Sequence, residues 1–216
     1  MSRSILIILC LAVGCAGVQG PTGQEIAPPS AGEDTPGFRD IDGALRPDPV
    51  AFPELWPDRV ESQVYPITVH YAGAEQRGLA VRVARYLEQS WRTNEGAGLR
   101  PPFAHGSEDT ARFSAFLWPE LGVCTAVAGS RAEGASWEAH ASVLILDVWE
   151  GCPGPNLDAA VGHAFHRAVT LAYDPWEDEV FRTASATFAE DRAFDENNRY
   201  MATLADFQAH PERAIT

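Results

Sequence analysis

His163 and His166, three residues apart, are the side chains best placed to do chemistry in this 216-residue chain. They lie in VGHAFHRAVTLAYD (161–174), where Leu157, Val161, Phe165, Ala168, Val169 and Ala172 recur at helical spacing. On one helix, imidazoles at i and i+3 can reach a single ion, as in the carboxylate sites of helix bundles. His140, His70 or Glu190 would then supply a third ligand, and zinc is the metal such a set suits. A metal-free reading uses the same face. His163, Arg167, Thr170 and Asp174 line the side opposite the apolar stripe, so Arg167 either pairs with Glu190 or Asp174, or belongs to a solvated helix face. Other chemistries have less to stand on. No GxSxG elbow surrounds a serine, and Ser185 and Ser142 fall within an expected helix and strand. No glycine loop precedes a Lys-Ser or Lys-Thr pair. Glu177-Asp178-Glu179 and Asp195-Glu196 lack the Asp-x-Asp-x-Asp-Gly spacing of a calcium loop, and His105 and His210 read as surface residues.

The elements that must hold this helix follow from periodicity. VYPITVHYA (64–72) alternates apolar with polar residues and forms the first strand, with Pro66 marking an edge or a strand start. Leu79, Val83, Tyr86, Leu87 and Trp91 then describe an amphipathic helix ending near Gly96, and a Pro-Pro loop spans 98–109. Three short runs, 112–117, 122–128 and 142–148, suit a small sheet. After the histidine helix, which starts at Asn156, a second helix covers 179–192 with Phe181, Ala184 and Phe188 as its buried side. A third begins near Asn198 and carries Tyr200, Leu204 and Phe207. Helix, sheet, then helices is an α+β pattern: a small mixed sheet packed against helices, with a helix pair near the C-terminus.

Composition bounds the setting. Arg3, an apolar run over 5–13 and Gly14-Cys15 make residues 1–14 a signal peptide, and no later stretch is apolar for long enough to span a bilayer. Ala12-Val13-Gly14-Cys15 resembles a bacterial lipobox, which implies acylation of Cys15, a membrane partner through its acyl chains, and export to the outer membrane as an envelope lipoprotein. Residues 15–49, rich in Gly and Pro, form a flexible tether, and 50–216 form one domain. A formal charge of −14 without any lysine excludes a nucleic-acid partner and disfavours adhesion to anionic lipid. In an exported chain, Cys124 and Cys152 are expected to form a disulfide closing a loop of about 29 residues, worth ~3 kcal/mol.

VGHAFHRAVTLAYD, followed after an acidic loop by VFRTASATFAED, resembles a pattern of secreted bacterial zinc metallopeptidases, roughly HEFFHAxQxAYD then WxxExxATWxED. That family implies a zincin-like domain. Its chemistry needs two imidazoles at i and i+4, about 40° apart on one helix face, with a Glu beside the first as general base and a third ligand from a later helix. The resemblance puts His163 on the first ligand, Ala164 on the base, Arg167 on the second ligand and Thr183 on the later Glu, while Ala168, Ala172-Tyr173-Asp174, Ala186-Thr187 and Glu190-Asp191 keep the flanking pattern. Ala164 cannot take a proton, and a guanidinium repels a divalent cation. The expectation is therefore an inactive metallopeptidase homologue with no cofactor, acting as a binding or accessory module for an envelope protein or peptide. The alternatives are a zinc peptidase using His163, His166 and an unidentified third ligand, and a structural envelope lipoprotein with no ligand.

Overall fold

A computed structural model describes residues 37–39, 45–47, 49, 53–104, 112–118, 124–131, 140–147, 156–198, 200–201 and 208–209. The signal peptide, Cys15, Cys152, His105, Leu204, Phe207 and His210 lie outside these residues. A short antiparallel pair, β1 (Gly37–Arg39) and β2 (Leu45–Pro47), falls inside the expected tether.

The domain is mixed α+β. Its strands are β3 (Asp58–Glu61), β4 (Ile67–Tyr71), β5 (Phe103–Ala104), β6 (Phe113–Trp118), β7 (Thr125–Arg131) and β8 (His140–Asp147), and its helices are α1 (Arg77–Gly96), α2 (Leu157–Tyr173) and α3 (Glu179–Ala193). β4, β6 and β8 run parallel, while β3 and β7 pair antiparallel with β4 and β8. One edge of β8 is paired with β7 from His140 to Leu146, so β5 and β6 share the other, β5 at 141–142 and β6 at 144–147. β5 thus extends the line of β6 and converts part of the expected Pro-Pro loop into sheet.

Both faces of this sheet are closed. Ile67, Val69, Phe113, Ala115, Leu117, Leu144 and Leu146 pack with α1 and α2 residues in the main core. On the opposite face Trp56 donates Nε1–H to Leu117 O at 2.8 Å and packs its ring edge-on to Phe116 and tilted against Trp118. Strands covered twice read as continuous apolar runs, which is why VLIL and FLW do not alternate. β3 was not expected; Asp58, Arg59 and Glu61 give it no apolar signal, and such charges suit an exposed edge strand. The first strand is also shorter than expected, because residues 62–66 bend before β4. There Arg112 clamps the turn, donating to the carbonyls of Ser62 and Ile67 and to Thr68 Oγ1.

α1 ends where Gly98 takes left-handed geometry, with φ at +80°, and Leu99 N reaches back to Asn94 O at 3.0 Å, a glycine-closed helix end. α2 buries the expected stripe, with Phe165 packed edge-on to Phe113 at 5.4 Å and near Trp91 at 5.7 Å. α3 begins at Asp178, whose carboxylate caps the amides of Val180 and Phe181.

The face of α3 corrects the expectation from sequence. Phe181 and Phe188 are 59% and 64% exposed and Ala184 is exposed, whereas Arg182, Ala186, Ala189 and Glu190 are buried. Periodicity shows that a helix has an apolar side; here the polar side is the one turned inward, towards charged partners on α2. Asn198, the expected start of a third helix, adopts a left-handed conformation, and Tyr200 and Met201 are exposed.

Cys124 stands just before β7, where its carbonyl accepts from Asp147 N at 3.1 Å. Cys152, its expected disulfide partner, lies outside the described residues.

Gly162 sets how closely α2 approaches its neighbours. A Cβ there would lie 2.8 Å from the Phe194 ring and 3.4 Å from Ser90 Oγ. Ala normally stabilises a helix interior by about 1 kcal/mol over Gly, but overpacking costs about 1–3 kcal/mol. Gly162→Ala is expected to lower the urea midpoint; a raised midpoint would show that Phe194 yields freely.

Candidate functional site

α2 lies with its stripe on the sheet, so its remaining side meets α1 and α3. His163 points to α3, where its Nδ1 lies 3.3 Å from Glu190 Oε2, and Glu190 is only 4% exposed. One turn further along, Arg167 Nη2 donates to Glu179 Oε1 at 2.9 Å. Thr183 Oγ1 donates to the same oxygen at 2.9 Å, and Arg182 Nε lies 3.3 Å from Glu179 Oε2. Arg182 also donates to the carbonyls of Pro175 and Glu177, which fixes the α2–α3 connection. Two guanidiniums and two carboxylates therefore face one another between the helices.

This placement revises two expectations. Arg167 pairs with Glu179 rather than with Glu190 or Asp174; Asp174 instead accepts from Trp176 N. Glu190 sits opposite His163, while Thr183, seven residues earlier, sits at the level of Arg167. Antiparallel helices put later residues of one beside earlier residues of the other, and that register is not written in either helix alone.

His166 turns the other way. Its Nδ1 is 2.7 Å from Asn94 Oδ1 on α1. Asn94 Nδ2 donates to Ser90 O at 2.8 Å, so Oδ1 is the atom facing the imidazole and the neutral ring carries its proton on Nδ1. Burial, and then the nearby His163, lower the His166 pKa to about 4. Asn94 was not singled out from sequence. Its signal was present: Ser90 and Asn94 continue the Val83–Leu87 stripe of α1 with polar side chains, and buried polar groups need partners.

The other sequence-predicted positions do not converge here. Ala164 is 1% exposed and belongs to the main core. His70 lies on the opposite sheet face, stacked on Phe116 at 4.5 Å with Nε2 3.4 Å from Ser114 Oγ, and burial, with the Arg59 charge next, lowers its pKa to about 4. His70 is thus removed as a third ligand by the sheet itself. The side chain of His140 lies outside the described residues. Thr170 Oγ1 is turned to Arg167 O.

The donors do not fit a zinc site of the expected kind. Among the described residues no group of three His, Cys, Asp or Glu side chains is close enough to hold a metal ion, and the second ligand position is an arginine already paired with a carboxylate. Compared with family models, curated proteins and solved structures, the chain matches none of them. Among the described residues no helix is long and apolar enough to cross a membrane.

Two outcomes test this geometry. A glutamate at Ala164 would enter a closed apolar core without a partner, so Ala164→Glu should cost about 3 kcal/mol or more in urea unfolding; a neutral effect would reveal open space beside α2. His70 and His166 bind protons less readily folded, near 4, than unfolded, near 6.5. The unfolded chain therefore takes up more protons between these values. Stability is complete above about pH 6.5 and is lost as pH falls towards 4, and His166→Gln should flatten part of that slope in denaturation curves recorded across the window.

Proposed function

We propose that the chain is an exported lipoprotein, anchored through acylated Cys15, whose domain is a zincin-like metallopeptidase scaffold that no longer cleaves peptides and serves as a binding or accessory module of the bacterial envelope. The observation that carries this reading is the α2–α3 contact: His163 faces buried Glu190, while Arg167 and Thr183, on the ligand positions of the resembled pattern, share Glu179. The order of elements supports it, since a helix, a mixed sheet and then a helix pair follow one another, the α+β order expected of such a domain. Ala164 supplies no base, and a lost base alone typically costs 10² to 10⁴ in rate. Removal of the ligands leaves the packing intact because the stripe of α2 is independent of its polar side.

A second reading, zinc held by His163 and His166, is favoured by one feature. Each imidazole turns Nδ1 to an acceptor, Glu190 or Asn94, as metal-bound histidines do, which leaves Nε2 for an ion. A third ligand would have to come from elsewhere.

Metal content separates the two. The full chain, purified without chelators in the presence of zinc, should carry far less than one equivalent by mass spectrometry. Near-stoichiometric zinc that disappears in His163→Ala would overturn the non-catalytic reading and make peptide cleavage the next assay.

A further inference from the structure

The outward side of α3 is the least expected surface of the molecule. Val180, Phe181, Ala184 and Phe188 follow one another at helical spacing on the exposed side, with Trp176 on the loop just ahead. Trp176 is 74% exposed and Val180 52%, alongside the two phenylalanines. These side chains leave on the order of 500 Å² of mostly apolar surface open, a size at which exposed patches mark interaction sites. We propose that this stripe docks an amphipathic helix of a partner protein that carries cationic residues beside its apolar face.

Three features select that occupant. The stripe is linear and runs about 12 Å along α3 from Val180 to Phe188, a little over two helical turns, and its anchors at 181, 184 and 188 match helix-against-helix spacing. It cannot roll inward to cover itself, because the other side of α3 is committed: Arg182 holds the preceding carbonyls and Glu190 meets His163. Charge then chooses the partner. At the N-terminal end lie Asp174, Asp178 and Glu179, all exposed; at the other, exposed Arg192 continues the face of Phe188 beside Asp195 and Glu196, and the whole chain carries −14. A second copy or an anionic lipid surface would meet like charge at the acidic N-terminal end of the stripe, whereas a helix with Lys or Arg flanking its apolar face meets opposite charge there. The stripe is also smaller than the roughly 800 Å² per partner of a standard interface, which suits a single docked helix better than a stable pair of domains.

The inference rests on the reading of the chain as a binding module. Zinc content decides that reading; peptide binding decides this one. The probe is a 16-residue peptide of Leu and Lys patterned to give one apolar and one cationic helix face. It is titrated into the purified full chain by calorimetry beside a scrambled peptide of identical composition and a Leu/Glu counterpart. Micromolar binding of the patterned peptide is expected, at least tenfold weaker for both controls and at least tenfold weaker for the Phe181→Ser/Phe188→Ser chain with its circular dichroism unchanged. If that chain does not fold, Trp176→Ser in the exposed loop takes its place. Equal binding of patterned and scrambled peptides, or binding indifferent to the substitutions, would overturn the proposal. So would a dimer in light scattering, or capture by phosphatidylglycerol vesicles, that the same substitutions abolish.

Discussion

The two-sidedness of α2 is the constraint on which the rest of the domain depends. One side must lie on the sheet, because Val161, Ala164, Phe165 and Ala168 are sealed there with the strand residues. That leaves His163 and Arg167 directed at α3 and His166 at α1, in a setting partly withdrawn from water. Charged and polar groups in such a setting are costly unless paired, by several kcal/mol for an ion. α1 answers with Asn94 and α3 with Glu179 and Glu190. Each neighbouring helix is therefore oriented by what α2 needs as much as by its own apolar pattern.

α3 shows what that demand does to a helix. Turning its aromatic side inward would gain the burial of two phenylalanines, about 1.5–3 kcal/mol each, but would carry Arg182 and Glu190 away from their partners and leave Arg167 and His163 facing an apolar surface. The polar arrangement prevails because it satisfies groups on both helices at once and ties the connecting loop through Arg182. Exposure of Phe181 and Phe188 follows from that choice.

The parts legible in the sequence are those where periodicity and burial coincide. The α2 stripe, the extent of α3 and the three runs that became β6, β7 and β8 belong to this class. What periodicity leaves open is orientation: VFRTASATFAED has one aromatic and one polar side, and nothing within it says which meets the core. β3 was hidden for a different reason, since a charged edge strand has no apolar alternation to detect, and β5 is only two residues long. At the candidate site, His163 was legible from its place in the resembled pattern, and Glu190 as a candidate third ligand or partner of Arg167, while its place opposite His163 was not. Its separation from Thr183, about 10 Å along the helix, is real, yet the antiparallel register uses that distance to reach the level of His163.

The same register bears on the chemistry that the proposed reading takes to be lost. On the proposed reading, a peptidase would hold a divalent cation between these helices, with a base beside it. Here Arg167 and Arg182 lie against Glu179 and His163 lies against Glu190, so cationic side chains already occupy the gap beside its carboxylates. Adding a divalent ion beside these guanidiniums would crowd positive charge where the dielectric is low, unless Arg167 swung out to solvent. Glu179 is half exposed, so that movement is sterically open at its end, but it would break the cross-helix pair and leave Glu179 only its α3 partners Thr183 and Arg182. Metal binding and the present α2–α3 contact are thus alternatives, and the second needs nothing beyond the side chains this chain already carries.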